Sequence, residues 1–344
     1  MTNPDARPLL TIAVPTYNGA GTIRCMMDIL LPQVDFGCME VIVSDNGSTD
    51  DTPGIIEEYR EKYPQIEYRR HEKNIGADGN FLYCMQAARG RFTYLLSDDD
   101  ILIPGRLGRI ADFLRTHPEL TLVYLSTVNF YVKFEGEDKC SAPVEITEQD
   151  ICTADKGVFM HHARHYWGFL SSFVISTDAF RTIEGPQQYF GTYWLQSYIH
   201  ILCSARSDAL VGVVGSPCVA AGVYVTQSNF DPAFVDGVQY KKMLDFAVEK
   251  AGYPKKQLEK MYIRRLCLLA SHGIIKEKAT GRRRINRKLL FECTWKYPSA
   301  WIKIYPAFLV PSFVCKAFMK AYRKIRKCDG SDSLNRAGDV ASSR

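Results

Sequence analysis

The chain has 344 residues, 46% of them hydrophobic and 24% charged, with a formal net charge of +5, enough to bury a substantial core as one large domain or two smaller ones. Eleven cysteines without a Cys-x-x-Cys pair, and no signal-like segment before the first strand-like run, argue against a disulfide framework and for reduced thiols in a cytoplasmic protein. The charge is uneven: from Arg264 to Lys327 seventeen Lys and Arg face two acids, Glu277 and Glu292, so this window carries +15 and the remainder −10.

In chain order, "LLTIAVPTYN" predicts a strand closed by Pro15, and Thr22 to Leu31 a helix. "MEVIVSDNGSTDD" predicts a second strand. Thr52 to Tyr63 follows as a helix, with Asp51 or Thr52 as its cap and Pro53 at its first position. "RFTYLLSDDD" is a third strand. Such alternation builds an α/β domain, a mostly parallel sheet flanked by helices. Further strands are expected at 120–132, 167–176 and 209–225, a polar loop at 133–150 and a helix over 191–205. From about Asp236 the pattern turns helical. The expected division is a catalytic-type domain over 1–230, a helical basic region over 231–327 and a disordered polar tail over 328–344.

Each of the first three strands ends in polar residues: Thr16, Tyr17 and Asn18; Asp45, Asn46 and Ser48; Asp98, Asp99 and Asp100. Ligands of open α/β sheets bind at the carboxyl ends of strands, so the three clusters are expected to converge. Three successive carboxylates repel one another unless a cation lies between them, and hard oxygen donors suit Mg²⁺ or Mn²⁺. An EF-hand calcium loop is excluded. From Asp98 its sixth and twelfth positions would be Ile103 and Arg109, and from Asp45 they would be Asp50 and Ile56. The competing reading of the triplet is a solvated acidic turn.

"TIAVPTYNGAGTI", "VIVSDNGSTDDT" and "NIGADGNFLYCMQAARGRFTYLLSDDDIL", in this order and spacing, resemble the nucleotide-sugar-binding half of glycosyltransferase family 2, inverting enzymes of GT-A fold. The resemblance is strong over about 9–113 and weak to about 230. It implies that Pro15, Thr16, Tyr17 and Asn18 wrap the nucleotide base and ribose, and that Asp45 and Asn46 stand where the family commonly has an Asp-Asp pair reading the base. It places Asn74, Gly76 and Asn80 beside the nucleotide. Asp99 is the implied metal ligand, with Asp98 near ribose or metal and Asp100 able to substitute for either. Read without the resemblance, Gly76 relieves the backbone and Asn80 caps a helix.

Many members place an acidic base at the start of a helix after a Gly-rich turn, where this chain has Thr192 and Tyr193 in "EGPQQYFGTYWLQSYIHIL". Tyr193, Gln196 and His200 are spaced to share one helix face, making His200 the candidate base with Gln196 orienting the acceptor. Asp178 reads as a helix cap. His161, His162 and His165 fall on another expected helix, and 223–231 reads as a closing loop or a linker.

"SFVCKAFMKAYRKIRK" carries an apolar stripe of Phe313, Val314, Ala317, Phe318, Ala321, Tyr322 and Ile325 beside Lys316, Lys320, Arg323 and Lys327. With Trp295, Tyr297, Trp301, Tyr305 and the cluster Arg282, Arg283, Arg284, Arg287 and Lys288, it has the make-up of an interfacial helix on an anionic membrane. No nucleic-acid module accompanies these residues. The expectation is an inverting transferase moving a sugar from a UDP-sugar to a hydroxyl of a glycan or lipid-linked glycan in cell-surface polysaccharide synthesis. It would use Mn²⁺ or Mg²⁺, without nucleic acid, on the inner face of the cytoplasmic membrane. The alternative is an inactive nucleotide-sugar-binding scaffold.

Overall fold

Two fully buried strands, β1 (Leu10–Thr16) and β2 (Met39–Asp45), start the sheet of this computed structural model and pair in parallel from Leu10–Met39 to Thr16–Asp45. The structure describes residues 7–130, 134–142, 146–206, 208–222, 231–281 and 285–328. Burial on both faces is what near-continuous apolar strands require. β3 (Glu67–Arg70) extends the sheet beyond β2, and β4 (Phe92–Leu95) lies on the other side of β1, both parallel. Helices α1 (Ile23–Leu30), α2 (Thr52–Lys62) and α3 (Ala77–Ala87) supply the crossovers.

The chain continues through β5 (Ile101–Leu102), α4 (Arg106–Thr116), β6 (Leu120–Phe130), β7 (Ile151–Thr153), α5 (Lys156–Ala163), β8 (Phe173–Ser176), α6 (Thr177–Arg181), α7 (Leu195–Cys203) and β9 (Leu210–Gly222). Strand order is β3-β2-β1-β4-β8-β6-β9-β5, with β7 paired to β9. β8 runs antiparallel between β4 and β6, whereas β6 and β9 are parallel. The expected strand at 167–176 shortens to Phe173–Ser176, and the expected helix at 191–205 to Leu195–Cys203. β3, β5 and β7 escape the sequence pattern because they are short and, in β3 and β7, not buried. Residues 131–133, inside the expected strand and loop, lie outside the described residues.

One buried knot fixes where β4 begins. Glu40 Oε1 accepts from Thr11 Oγ1 at 2.5 Å, Arg89 N at 2.7 Å and Gly90 N at 3.2 Å. A Cβ on Gly90 would stand 2.5 Å from the Thr11 amide nitrogen, so the α3–β4 turn closes on β1 only with glycine there. Burial also pushes the thiols of Cys84, Cys203 and Cys218 up to about 12, which leaves them as inert packing groups.

The chain divides into two compact units, Met1–Val223 with Asp245–Gln257, and Tyr224–Leu244 with Leu258–Arg344. Among the described residues after β9 there are no strands. A π-helical turn, Ala233–Gln239, runs into α8 (Tyr240–Ala251), followed by α9 (Lys255–Thr280), α10 (Arg287–Thr294), α11 (Pro298–Lys303), α12 (Pro306–Leu309) and α13 (Ser312–Cys328). In the second unit the buried Asp236 carboxylate accepts from Arg265 Nε at 2.9 Å, and that guanidinium lies 4.9 Å over the Tyr240 ring. Residues 223–230 of the expected closing loop or linker over 223–231, residues 282–284 of the basic cluster and residues 329–344 of the expected tail over 328–344 lie outside the described residues.

Gly90→Ala is expected to destabilise the protein by about 2–3 kcal/mol, because backbone rather than a flexible side chain must give way. Gly21→Ala, where a Cβ meets nothing within 4 Å, should unfold like the wild type in the same urea titration.

Candidate active site

Because β1 pairs with both β2 and β4, the carboxyl ends of the three strands stand side by side. Their loops are then stitched together. Asn46 N donates to Thr16 O at 2.9 Å, Asn18 N to Ser48 Oγ at 2.9 Å, and Thr49 N to Asn18 Oδ1 at 2.8 Å. Asn18 holds a φ of +54°, a conformation that asparagine tolerates better than most residues.

Burial sorts the predicted residues into two sets. Tyr17, Asn18, Asn74 and Gly76 face solvent, and Asp98 and Asp99 are half-buried. Pro15, Thr16, Asp45, Asn46, Asn80 and Asp100 are turned into the protein. Asp45 is 0% exposed, accepting from Ser48 N at 2.8 Å and the Tyr68 hydroxyl at 3.0 Å. Asn46 accepts from Ile75 N at 2.8 Å and donates to Asn74 Oδ1 at 3.0 Å and Gly76 O at 3.2 Å. The pair expected to read the base is therefore engaged by the protein's own loops. Asn80 caps nothing: inside α3, it exchanges two hydrogen bonds with Ser44 of β2. Gly76 does relieve the backbone, with a φ of +83° and open space where a Cβ would be.

The three aspartates are held apart by three hydroxyls. Asp98 Oδ2 accepts from Thr16 Oγ1, Asp99 Oδ1 from Ser97 Oγ at 2.5 Å, and Asp100 Oδ2 from Ser171 Oγ at 2.6 Å. Asp100 Oδ1 also accepts from Gly222 N at 2.9 Å. Asp100, expected among the metal ligands, is buried and ties the β4 end to β9 through these two bonds. Loss of hydration, with the charge of Asp99 beside it and against the bond from Thr16, pushes the Asp98 carboxyl up to about 7.

Two adjacent hard carboxylates, one of them disfavoured as an anion by desolvation and by its neighbour, fit a divalent cation, which would relieve both penalties. Among the described residues no three His, Cys, Asp or Glu side chains form a closed cage. Asp98 and Asp99 are the residues that would hold such a cation, which in this class of site commonly keeps room for phosphate oxygens and water.

The expected base does not hold. His200 is 3% exposed, its ring lies 4.6 Å from that of Phe173, and burial pushes it down to about 3. It is a neutral core imidazole. Gln196 is buried too, donating to Gly168 O at 2.7 Å. Tyr193 precedes α7 with a φ of +66°, so it does not share that helix face. His161 and His162 line a cleft of about 420 Å³ with Asp155, Gly157, Val158 and Gln257, and none of the strand-end residues lines it. Asp178 pairs with Arg7 at 2.8 Å, and Ser176 caps α6 instead.

Sequence reasoning passed over Asp78. It sits in the first turn of α3, two residues after Gly76, half-buried, and its Oδ2 accepts the Gly191 N–H at 2.8 Å. Burial, opposed by that bond, raises its carboxyl above the ordinary range. A carboxylate is thus delivered from α3 to the turn carrying Thr192 and Tyr193, where a base was sought and no acid stands in the sequence. Its partner is 113 residues away, so local spacing gives no signal.

Residues 11–169 match the family model described as glycosyl transferase family 2. The abequosyltransferase RfbV of Salmonella typhimurium is 24% identical over 229 residues, 61% of this chain and 66% of the relative, and three mycobacterial relatives are matched over 34% of their length. Residues 1–349 of Staphylococcus aureus TarS in complex with UDP-GlcNAc superpose with a TM-score of 0.56 at 16% identity, over 76% of this chain and 72% of that fragment. A mannosyltransferase of Pyrobaculum calidifontis in complex with GDP-Man and Mn²⁺ gives 0.50 at 15% identity, over 94% and 90%. These likenesses establish the GT-A fold.

Asn46→Asp, which would restore an Asp-Asp pair, should destabilise rather than improve the site. A carboxylate cannot donate to Asn74 Oδ1 and Gly76 O, and the expected loss is about 1–3 kcal/mol in thermal or urea unfolding.

Proposed function

From the match of residues 11–169 to the glycosyl transferase family 2 model and from the GT-A fold, we propose that the chain transfers a sugar from a nucleotide donor, a UDP-sugar in the first instance, to a hydroxyl of a glycan or lipid-linked glycan. The observation carrying this is the convergence of three strand ends on Asp98 and Asp99, each held by a hydroxyl, beside the exposed ring of Tyr17. A relative named as an abequosyltransferase and fold neighbours in complex with UDP-GlcNAc and GDP-Man support it.

Thr16 and Ser97 orient the two carboxylates before any ligand arrives, so no reorganisation is needed as charge develops. A divalent cation there supplies Lewis-acid neutralisation of the leaving diphosphate. Tyr17 offers a face for the base. Asp78 is the proposed general base: one oxygen is fixed by Gly191, and desolvation strengthens the carboxylate as a proton acceptor.

Calorimetric titration of UDP, GDP and dTDP, with and without Mn²⁺, should show metal-dependent binding of a nucleotide that is lost in Asp99→Ala. No binding of any of the three would overturn the transferase proposal. Asp78→Asn keeps an acceptor for Gly191 N–H but cannot take a proton. Release of nucleotide from the bound donor should fall by roughly 100-fold or more, with nucleotide affinity unchanged. An unaltered rate would reduce Asp78 to holding the turn. Nucleotide binding without turnover in the wild type, on any acceptor, would favour the inactive scaffold.

A further inference from the structure

The second unit carries a helical elbow whose apolar side chains face solvent. α11 and α12, over Pro298–Leu309, meet Ser312–Ala321 of α13 at 97°, and no single described helix is long and apolar enough to cross a membrane. At the bend Leu309 is 83% exposed and Phe313 74%; on the flanking arms Ile302 is 75% and Trp301 50% exposed. The second unit itself leaves these side chains exposed.

The elbow is built rather than frayed. Lys278 Nζ donates to Phe308 O at 2.5 Å and Val310 O at 2.7 Å, gripping the carbonyls on either side of Leu309. Arg287 lies 5.2 Å over the Phe308 ring and is paired with Glu277 at 3.2 Å. Trp301 stacks on Tyr305 at 4.6 Å and donates its indole N–H to Trp295 O at 2.8 Å, so its polar atom is satisfied while half of the residue stays exposed. Holding large apolar groups in water against an ordered backbone makes sense only with a partner for them.

Charge identifies that partner. Lys296, Lys303, Lys316 and Lys320 are exposed around the elbow, within a segment whose acids are Glu277 and Glu292 alone. Long cationic chains around an apolar tip, with indoles at the rim, match an anionic lipid surface: hydrocarbon for the tip, headgroups for the indoles, phosphates for the lysines. We infer that Leu309 and Phe313 form the tip of a wedge that enters one leaflet of an anionic bilayer, both arms lying near the interface rather than spanning it. This does not depend on the transferase proposal, because no residue of the nucleotide site takes part.

The test is co-sedimentation of the full chain with vesicles of phosphatidylcholine alone or mixed with phosphatidylglycerol. Binding is expected to the mixed vesicles, to weaken as salt is raised, and to fall at least about tenfold in Leu309→Asp/Phe313→Asp with an unchanged melting curve. Brominated lipid should quench Trp301 fluorescence. Absence of binding to the mixed vesicles would overturn the wedge. So would a wild-type dimer that the double variant converts to monomer, which would assign the elbow to a second copy, or binding to an oligonucleotide but not to vesicles.

Discussion

Three carboxylates in succession set the central constraint of this molecule, and three hydroxyls answer it. Asp98, Asp99 and Asp100 cannot share one direction without severe repulsion, and Thr16, Ser97 and Ser171 each draw one of them a different way. Thr16 belongs to β1, Ser97 to the turn itself, and Ser171 to the segment entering β8. The division of labour therefore depends on β8 lying next to β4. Antiparallel insertion of β8 into an otherwise parallel half-sheet is what delivers Ser171, and β9 delivers the Gly222 amide. Sheet order and site are one arrangement.

Much of this was legible in the sequence. Apolar runs ending in polar clusters gave β1, β2 and β4 and the edge on which they converge, because a strand buried on both faces leaves few alternatives for its composition. Side-chain direction was not legible. Asp45, Asn46 and Asp100 look like ligand groups in one dimension, yet each finds partners within the protein: Tyr68 on β3, the 74–76 loop, Ser171. His200 failed for the opposite reason. It and Gln196 do lie on α7, though Tyr193 precedes it, but α7 is buried on most of its surface, so shared helical periodicity carried no information about solvent. Asp78 went unseen because its significance lies in a contact with Gly191 that only the fold creates.

The second unit shows the reverse pattern. Its amphipathic stripe was plain in the sequence, and Phe313 and Val314 of that stripe are exposed in the structure. What no periodicity could give is the grip of Lys278 on the carbonyls beside Leu309. A lysine on a long helix is ordinarily a solvated charge, and here it fixes a bend thirty residues further along.

The inward turn of Asp45 and Asn46 bears on how a nucleotide would be told from its rivals. Both side chains are spent on Ser48, Tyr68, Ile75, Asn74 and Gly76, so neither offers a hydrogen bond to a base edge in this conformation. Tyr17 remains as an exposed ring, and an aromatic face stacks on any base with little preference. Sharp rejection of a wrong substrate requires buried polar groups that the wrong substrate leaves unpaired. If the proposed nucleotide site is right, the bonds of Asn46 to Ile75 N, Asn74 Oδ1 and Gly76 O would make fidelity toward the base a matter of the shape of the 74–76 loop, held by Asn46 without touching the ligand.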